Sequence, residues 1–128
     1  GNPVLIHEFN KARMPYNINI LTQITAKFAL QHQDIFASQA IDIRNEREHL
    51  WQQLTNLPGI LAYPSQANFI LFQVNNPMQV LQNLKQQGIL IKCLHGTHPL
   101  LVNCLRVTVG TSEENAAFLA ALTKITDT

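Results

Sequence analysis

The run Asn103-Cys104-Leu105-Arg106-Val107-Thr108-Val109-Gly110-Thr111 constrains this chain more than any other stretch. Side chains along a strand point to opposite faces with a period of two. Leu105, Val107 and Val109 therefore share one face, which reads as core. Cys104, Arg106 and Thr108 share the other, where a permanently charged fork sits beside two small side chains that leave room for an anion. The strand must then stop, because Gly110 makes a turn and Thr111-Ser112-Glu113-Glu114 fits a capping box, in which cap and glutamate satisfy each other's free amides.

The surrounding sequence supplies partners for such a strand. Short apolar runs rich in aromatic and branched residues at 60–63 and 68–74 read as paired strands joined by Pro64-Ser65-Gln66-Ala67. Pro77 opens a helix with Val80, Leu81 and Leu84 inward, which ends at Gly88. Residues 89–92 form a third strand, and a polar loop carries His95-Gly96-Thr97-His98-Pro99. The arginine strand is fourth. A last helix from Thr111 buries Phe118, Leu119, Leu122 and Ile125.

Helices precede all of this. Asn2 caps a first helix with Pro3 at its first position and Val4, Leu5, Phe9 and Ala12 on one stripe. Pro15 stops it, since proline disfavours helical geometry in the residue before it. A second helix carries Leu21, Ile24 and Phe28. A third runs from about 34 to 56 with Ile43, Leu50, Trp51, Leu54 and Leu57 as its stripe, while Arg44, Glu46, Arg47 and Glu48 read as a solvated face. The predicted fold is α+β: a small, mostly antiparallel four-stranded sheet with helices packed on it. The predicted organisation is a helical stretch over 1–57 leading into an α+β domain over 58–128, one compact unit overall.

Composition narrows the function. The chain has 128 residues, 46% of them hydrophobic and only 13% charged, so either much of its surface is expected to meet something else or the chain is part of a larger body. A net charge of +1, with nine scattered basic residues, gives no basic footprint for a nucleic acid. The longest apolar run is too short to span a bilayer, and no charged leader followed by an apolar segment opens the sequence. A cytoplasmic protein that binds neither membrane nor nucleic acid is expected. Cys93 and Cys104 could face each other on neighbouring strands, but two buried thiols in a reducing compartment is the simpler reading.

Arg106 is the leading candidate, because a guanidinium grips a carboxylate or phosphate through two parallel hydrogen bonds. Lys92 ends the preceding strand, and hairpin-like pairing would bring it near Arg106, which suits a phosphate. Tyr16 and Asn17, after the Pro15 break, could present a phenol and an amide at a domain junction. His95, His98, Cys93 and Cys104 match no compact zinc spacing, so no metal is expected.

Several strings closely resemble the C-terminal part of the histidinol-phosphate aminotransferases. They are Arg13-Met14-Pro15-Tyr16-Asn17-Ile18-Asn19, Tyr63-Pro64-Ser65-Gln66-Ala67-Asn68-Phe69-Ile70-Leu71, Gly88-Ile89-Leu90-Ile91-Lys92, and Asn103 to Thr111 continued by Glu113, Glu114 and Asn115. All fall in the family's order with about its spacing, and threonine-phosphate decarboxylases and aromatic aminotransferases are similar. The resemblance implies the small domain, with its interdomain helices, of a pyridoxal-phosphate enzyme of the aspartate-aminotransferase fold. It implies a missing large cofactor domain, a homodimeric parent, and transamination between histidinol phosphate and 2-oxoglutarate in histidine biosynthesis. By the same likeness Arg106 matches the arginine that grips the substrate's anionic end. Lys92 falls where many members carry a second arginine, with one extra residue in the loop between. Tyr16 and Asn17 match a segment passing near the active site. None of the five lysines lies in the family's Schiff-base setting, so the fragment is expected to be inactive alone and to hold no cofactor covalently. The competing class is a non-catalytic anion-binding α+β module.

Overall fold

Asparagine side chains start the first two helices of the computed structural model, which describes residues 1–14 and 18–126. Asn2 Oδ1 accepts the Val4 amide at 2.9 Å, and α1 runs Pro3–Ala12 with its proline where a missing N–H costs nothing. Asn19 Oδ1 accepts the Thr22 amide at 2.8 Å ahead of α2, Ile20–Gln31. A long helix follows, α3, Gln33–Thr55. Contacts divide the chain into two compact units, residues 1–38 and 39–128.

In the first unit the apolar spacing is helical, but the stripe is open. Val4, Leu5, Phe9, Leu21, Ile24 and Phe28 are all more than half exposed, and no described residue of this unit is buried.

The second unit holds the sheet. Its strands are β1, Ile60–Ala62, β2, Phe69–Val74, β3, Lys92–Cys93, and β4, Cys104–Thr108; α4, Pro77–Gln86, and α5, Ser112–Thr126, complete it. The order is β1-β2-β4-β3, every neighbouring pair antiparallel. Alternation then sorts the side chains. Ile70, Phe72 and Val74 of β2 face one way with Leu105 and Val107 of β4, and α4, α5 and the C-terminal half of α3 cover them through Val80, Leu84, Phe118, Leu122, Leu50 and Leu54. Phe72 and Phe118 meet edge-on at 6.1 Å between centroids. The texture of the sequence changes at Pro58, but the structural unit reaches back to residue 39 because Leu50 and Leu54 are fully buried in this core.

The third strand is shorter and later than expected. Residues 89–91 run beside the core without pairing, and only Lys92 and Cys93 bond to β4. The loop after it contains a short 3₁₀ turn, Pro99–Leu101, whose first free amide is taken by a histidine ring: Leu100 N donates to His98 Nδ1 at 3.2 Å. No described helix is long and apolar enough to cross a membrane.

Candidate anion-binding site

The face of the sheet opposite the core carries the candidate site. Burial along β4 follows the predicted alternation for Leu105, Val107 and Val109, at 0%, 6% and 8% exposure. Arg106 projects from the other face, half-buried at the middle of the sheet. Its register partners are Leu71 on β2 and Lys92 on β3. Cross-strand partners point to the same side, so Lys92 and Arg106 stand next to each other as inferred. Lys92 is exposed, and neither cation has a carboxylate partner among the described residues.

The walls around Arg106 are not those expected. Cys104 leaves no room for a ligand, because it is 1% exposed and its thiol donates to the Val102 carbonyl at 3.6 Å. Burial also pushes that thiol's pKa up. Thr108 is exposed. The dominant neighbour is instead Phe69, the residue paired with Thr108 and so diagonal to Arg106, whose ring lies under the guanidinium carbon at 4.9 Å from its centroid. Arg106 Nε is buried and has no hydrogen-bond partner. A buried donor without an acceptor is costly, and a site built for an absent acceptor is one reason to find one.

The turn after β4 is held by a network. The capping box forms as predicted: Thr111 N donates to Glu114 Oε2 at 2.9 Å and Glu114 N to Thr111 Oγ1 at 3.3 Å. A Cβ at Gly110 would collide with the Glu114 carboxylate, so glycine is needed there to let the cap close. Asn115, 3% exposed, brackets Gly110 from below. Its Oδ1 accepts Gly110 N at 3.0 Å, and its Nδ2 donates to Gly110 O at 3.1 Å and to Glu46 Oε2 at 2.8 Å. The charges of α3 are thus not all a solvated face. Glu46 ties the helix to this turn, and Arg47 Nη1 donates to Ala67 O at 3.3 Å in the β1–β2 connection.

Other candidates separate. Tyr16 and Asn17 lie outside the described residues. Cys93 pairs with Leu105 and so faces the core, while Cys104 is one residue along and faces away; the two thiols lie on opposite faces and are both free. His95 Nδ1 accepts the Asn103 amide at 2.9 Å and helps hold that residue at a φ of 61°, just ahead of β4. In the sequence Phe69 and Asn115 stand only within the family-like strings and Glu46 within a row of solvated charges, none with a role at the site. Phe69 needed the β2–β4 register to be seen beside Arg106. Asn115 carried a weak signal, a poor helix former placed just inside a helix start.

Fold and site together define a two-layer α+β domain with two cations, Lys92 and Arg106, in register on the sheet face opposite the core. The pattern of the class I and II aminotransferases fits residues 1–122, and the chain belongs to that family. The histidinol-phosphate aminotransferase of Chromobacterium violaceum is 51% identical over 122 residues, 95% of this chain but 34% of that protein. The chain therefore spans about a third of the length of the curated relatives it matches. In structure, histidinol-phosphate aminotransferase from Clostridium acetobutylicum superposes with a TM-score of 0.83 at 21% identity, over 98% of this chain and 39% of that one. L-threonine-O-3-phosphate decarboxylase from Porphyromonas gingivalis gives 0.79 at 21% identity, over 100% of this chain and 40% of that one.

Proposed function

We propose that this chain supplies the substrate-anion grip of a histidinol-phosphate aminotransferase working in the cytoplasm. The observation that carries the reading is the pairing of Lys92 with Arg106, two cations in register without carboxylate partners, one of them with a buried unsatisfied donor. A unit charge about 4 Å from another gains about 4 kcal/mol at an effective dielectric of 20, before desolvation. A phosphate dianion collects that attraction for each of its charges and gives up more hydration than a carboxylate, and two adjacent cations suit the doubly charged group. Arg106 can offer a fork to two oxygens, and Lys92 adds a point charge. The 51% identity to a histidinol-phosphate aminotransferase supports histidinol phosphate as the phosphate-bearing substrate, with 2-oxoglutarate binding by its carboxylate.

In such an enzyme pyridoxal phosphate supplies the electron sink for amino transfer. No lysine of this chain is assigned its covalent attachment, since none of the five lies in the family's Schiff-base setting. Arg106 and Lys92 bind and orient one end of the substrate, converting binding energy into alignment of the distant reacting carbon. The remaining two thirds of the parent protein would carry the cofactor. Tyr16 and Asn17 would belong to the segment passing near the reacting centre. The open stripe of Val4, Phe9, Leu21, Ile24 and Phe28 supports a cover supplied by that missing part within a homodimeric parent.

In the full-length enzyme Arg106→Ala should raise KM for histidinol phosphate and lower turnover, a loss of a few kcal/mol for a desolvated charge pair. Steady-state kinetics near normal would overturn the assignment. The fold shared with the threonine-phosphate decarboxylase favours one second reading, a decarboxylase gripping the same phosphate end. Carbon dioxide release without need for 2-oxoglutarate would select it. Tight phosphate binding by a protein lacking both activities would select the non-catalytic module.

A further inference from the structure

We propose that Phe69 is a positioning residue for Arg106: its ring orients the guanidinium fork while leaving the whole positive charge available to the ligand. The inference rests on the anion reading above and deepens it. An arginine has long rotatable links, and holding its fork in one direction costs conformational entropy. A carboxylate buttress could fix the fork, but it would also neutralise the charge that the ligand needs. Among the described residues Arg106 has no such buttress and no hydrogen bond, and its direct partners across the sheet are an aliphatic side chain, Leu71, and a like charge, Lys92. The Phe69 ring at 4.9 Å is the group placed to steer it. An aromatic face attracts a cation through its quadrupole without cancelling the charge.

The ring is itself firmly mounted. Ser65 Oγ donates to the Phe69 carbonyl at 2.7 Å and accepts the Ala67 amide at 3.0 Å, which closes the turn ahead of β2. Val109 N donates to Asn68 O at 2.9 Å, joining the residue before Phe69 to the end of the arginine strand. The Pro64-to-Phe69 string therefore reads as a mount: the serine shapes the turn, and the turn presents the ring under the fork.

The test is nuclear magnetic resonance on the chain, reading the side-chain Nε–H group of Arg106, with inorganic phosphate as the probe. In the wild type the Arg106 Nε–H and neighbouring methylene protons should be shifted upfield by the ring, with relaxation showing restricted motion. Phe69→Leu should remove the shift and free the group, while Phe69→Tyr should keep both. Phosphate affinity should fall about 5- to 30-fold in Phe69→Leu, the size of a partly desolvated cation–π contact. On an Arg106→Gln background the same Phe69→Leu change should cost nothing further. The proposal is overturned by an unshifted, mobile Nε–H in the wild type, a measurement that needs no variant to fold. It is equally overturned by equal losses of affinity on the two backgrounds. A wild-type chain that takes no phosphate, yet keeps an Nε–H ordered by Phe69, counts against the anion reading and supports the positioning role.

Discussion

Replacing Asn115 by alanine should be among the most damaging single changes in residues 39–126 outside the apolar core. Asn115 is 3% exposed and makes three side-chain hydrogen bonds, to Gly110 N at 3.0 Å, Gly110 O at 3.1 Å and Glu46 Oε2 at 2.8 Å. Two neutral bonds at about 1 kcal/mol each and one to a charged group at about 1.5–3 kcal/mol give a loss of about 3.5–5 kcal/mol. For a domain of this size that is a large share of the total stability, and it lowers Tm by about 15–40 °C. Trp51, the one tryptophan, packs against the core and donates to Ala62 O at 3.4 Å, so its fluorescence reports unfolding of this unit in urea. Asn115→Asp separates the contributions. It keeps an acceptor for Gly110 N but places a carboxylate against Glu46, so burial and like charge raise the folded-state pKa of the new aspartate above its unfolded value. A group raised in this way destabilises at pH above its folded pKa, and the penalty is gone below the unfolded value near 4. The Asp variant should therefore recover toward wild type on acidification, and the Ala variant should not. A loss under about 1 kcal/mol for Asn115→Ala would refute the reasoning, since it would mean that water replaces all three bonds.

Arg106→Leu should stabilise the chain without ligand by about 1 kcal/mol, because relief of the buried Nε and of the Lys92 repulsion outweighs the lost ring contact. It should also abolish any rise in Tm on adding phosphate; thermal melts with and without phosphate check both. Thiol labelling should separate the cysteines: Cys93 reacts in the folded chain, and Cys104, buried with its pKa raised, reacts only on unfolding. Glu113 is held below its ordinary pKa of 4.5, first by its own backbone amide and then by the Thr111 hydroxyl. Its stabilising effect is present above 4.5 and is lost as pH falls through the lower folded value, so Glu113→Gln should flatten that part of the acid titration of stability. Light scattering should detect self-association of the chain at high concentration, driven by the open stripe of residues 4–28; a strict monomer would count against it.

What could be read ahead of the structure followed from local rules. The capping box at Thr111, the Asn2 and Pro3 helix start and the core face of β4 each depend on residues within one turn or one strand. The third strand was misplaced because Ile89 to Ile91 have the apolar texture of a strand, while the pairing is set by the position of Lys92 against Arg106. Cys104 was misjudged for a related reason. Its face was right, but it is 1% exposed, which alternation alone does not report. Glu46 looked like one of a row of surface charges until α5 brought Asn115 to it across 69 residues. The first unit shows the complementary lapse: helical periodicity marks the side meant for burial, not whether a cover belongs to the same chain.

The two cations differ in how they are anchored. Arg106 sits on an inner strand with neighbours on both sides, while Lys92 belongs to a two-residue strand at the sheet's edge, followed by a loop closed by histidine–amide bonds. An inner strand cannot slip without moving the whole core, because a one-residue shift sends Leu105 and Val107 to the wrong side. An edge of two residues has little to lose. Related chains can thus exchange the edge side chain, or lengthen the loop behind it, at small cost to folding. Charge at the rim of the sheet is thus free to vary, while the arginine at its centre keeps its direction.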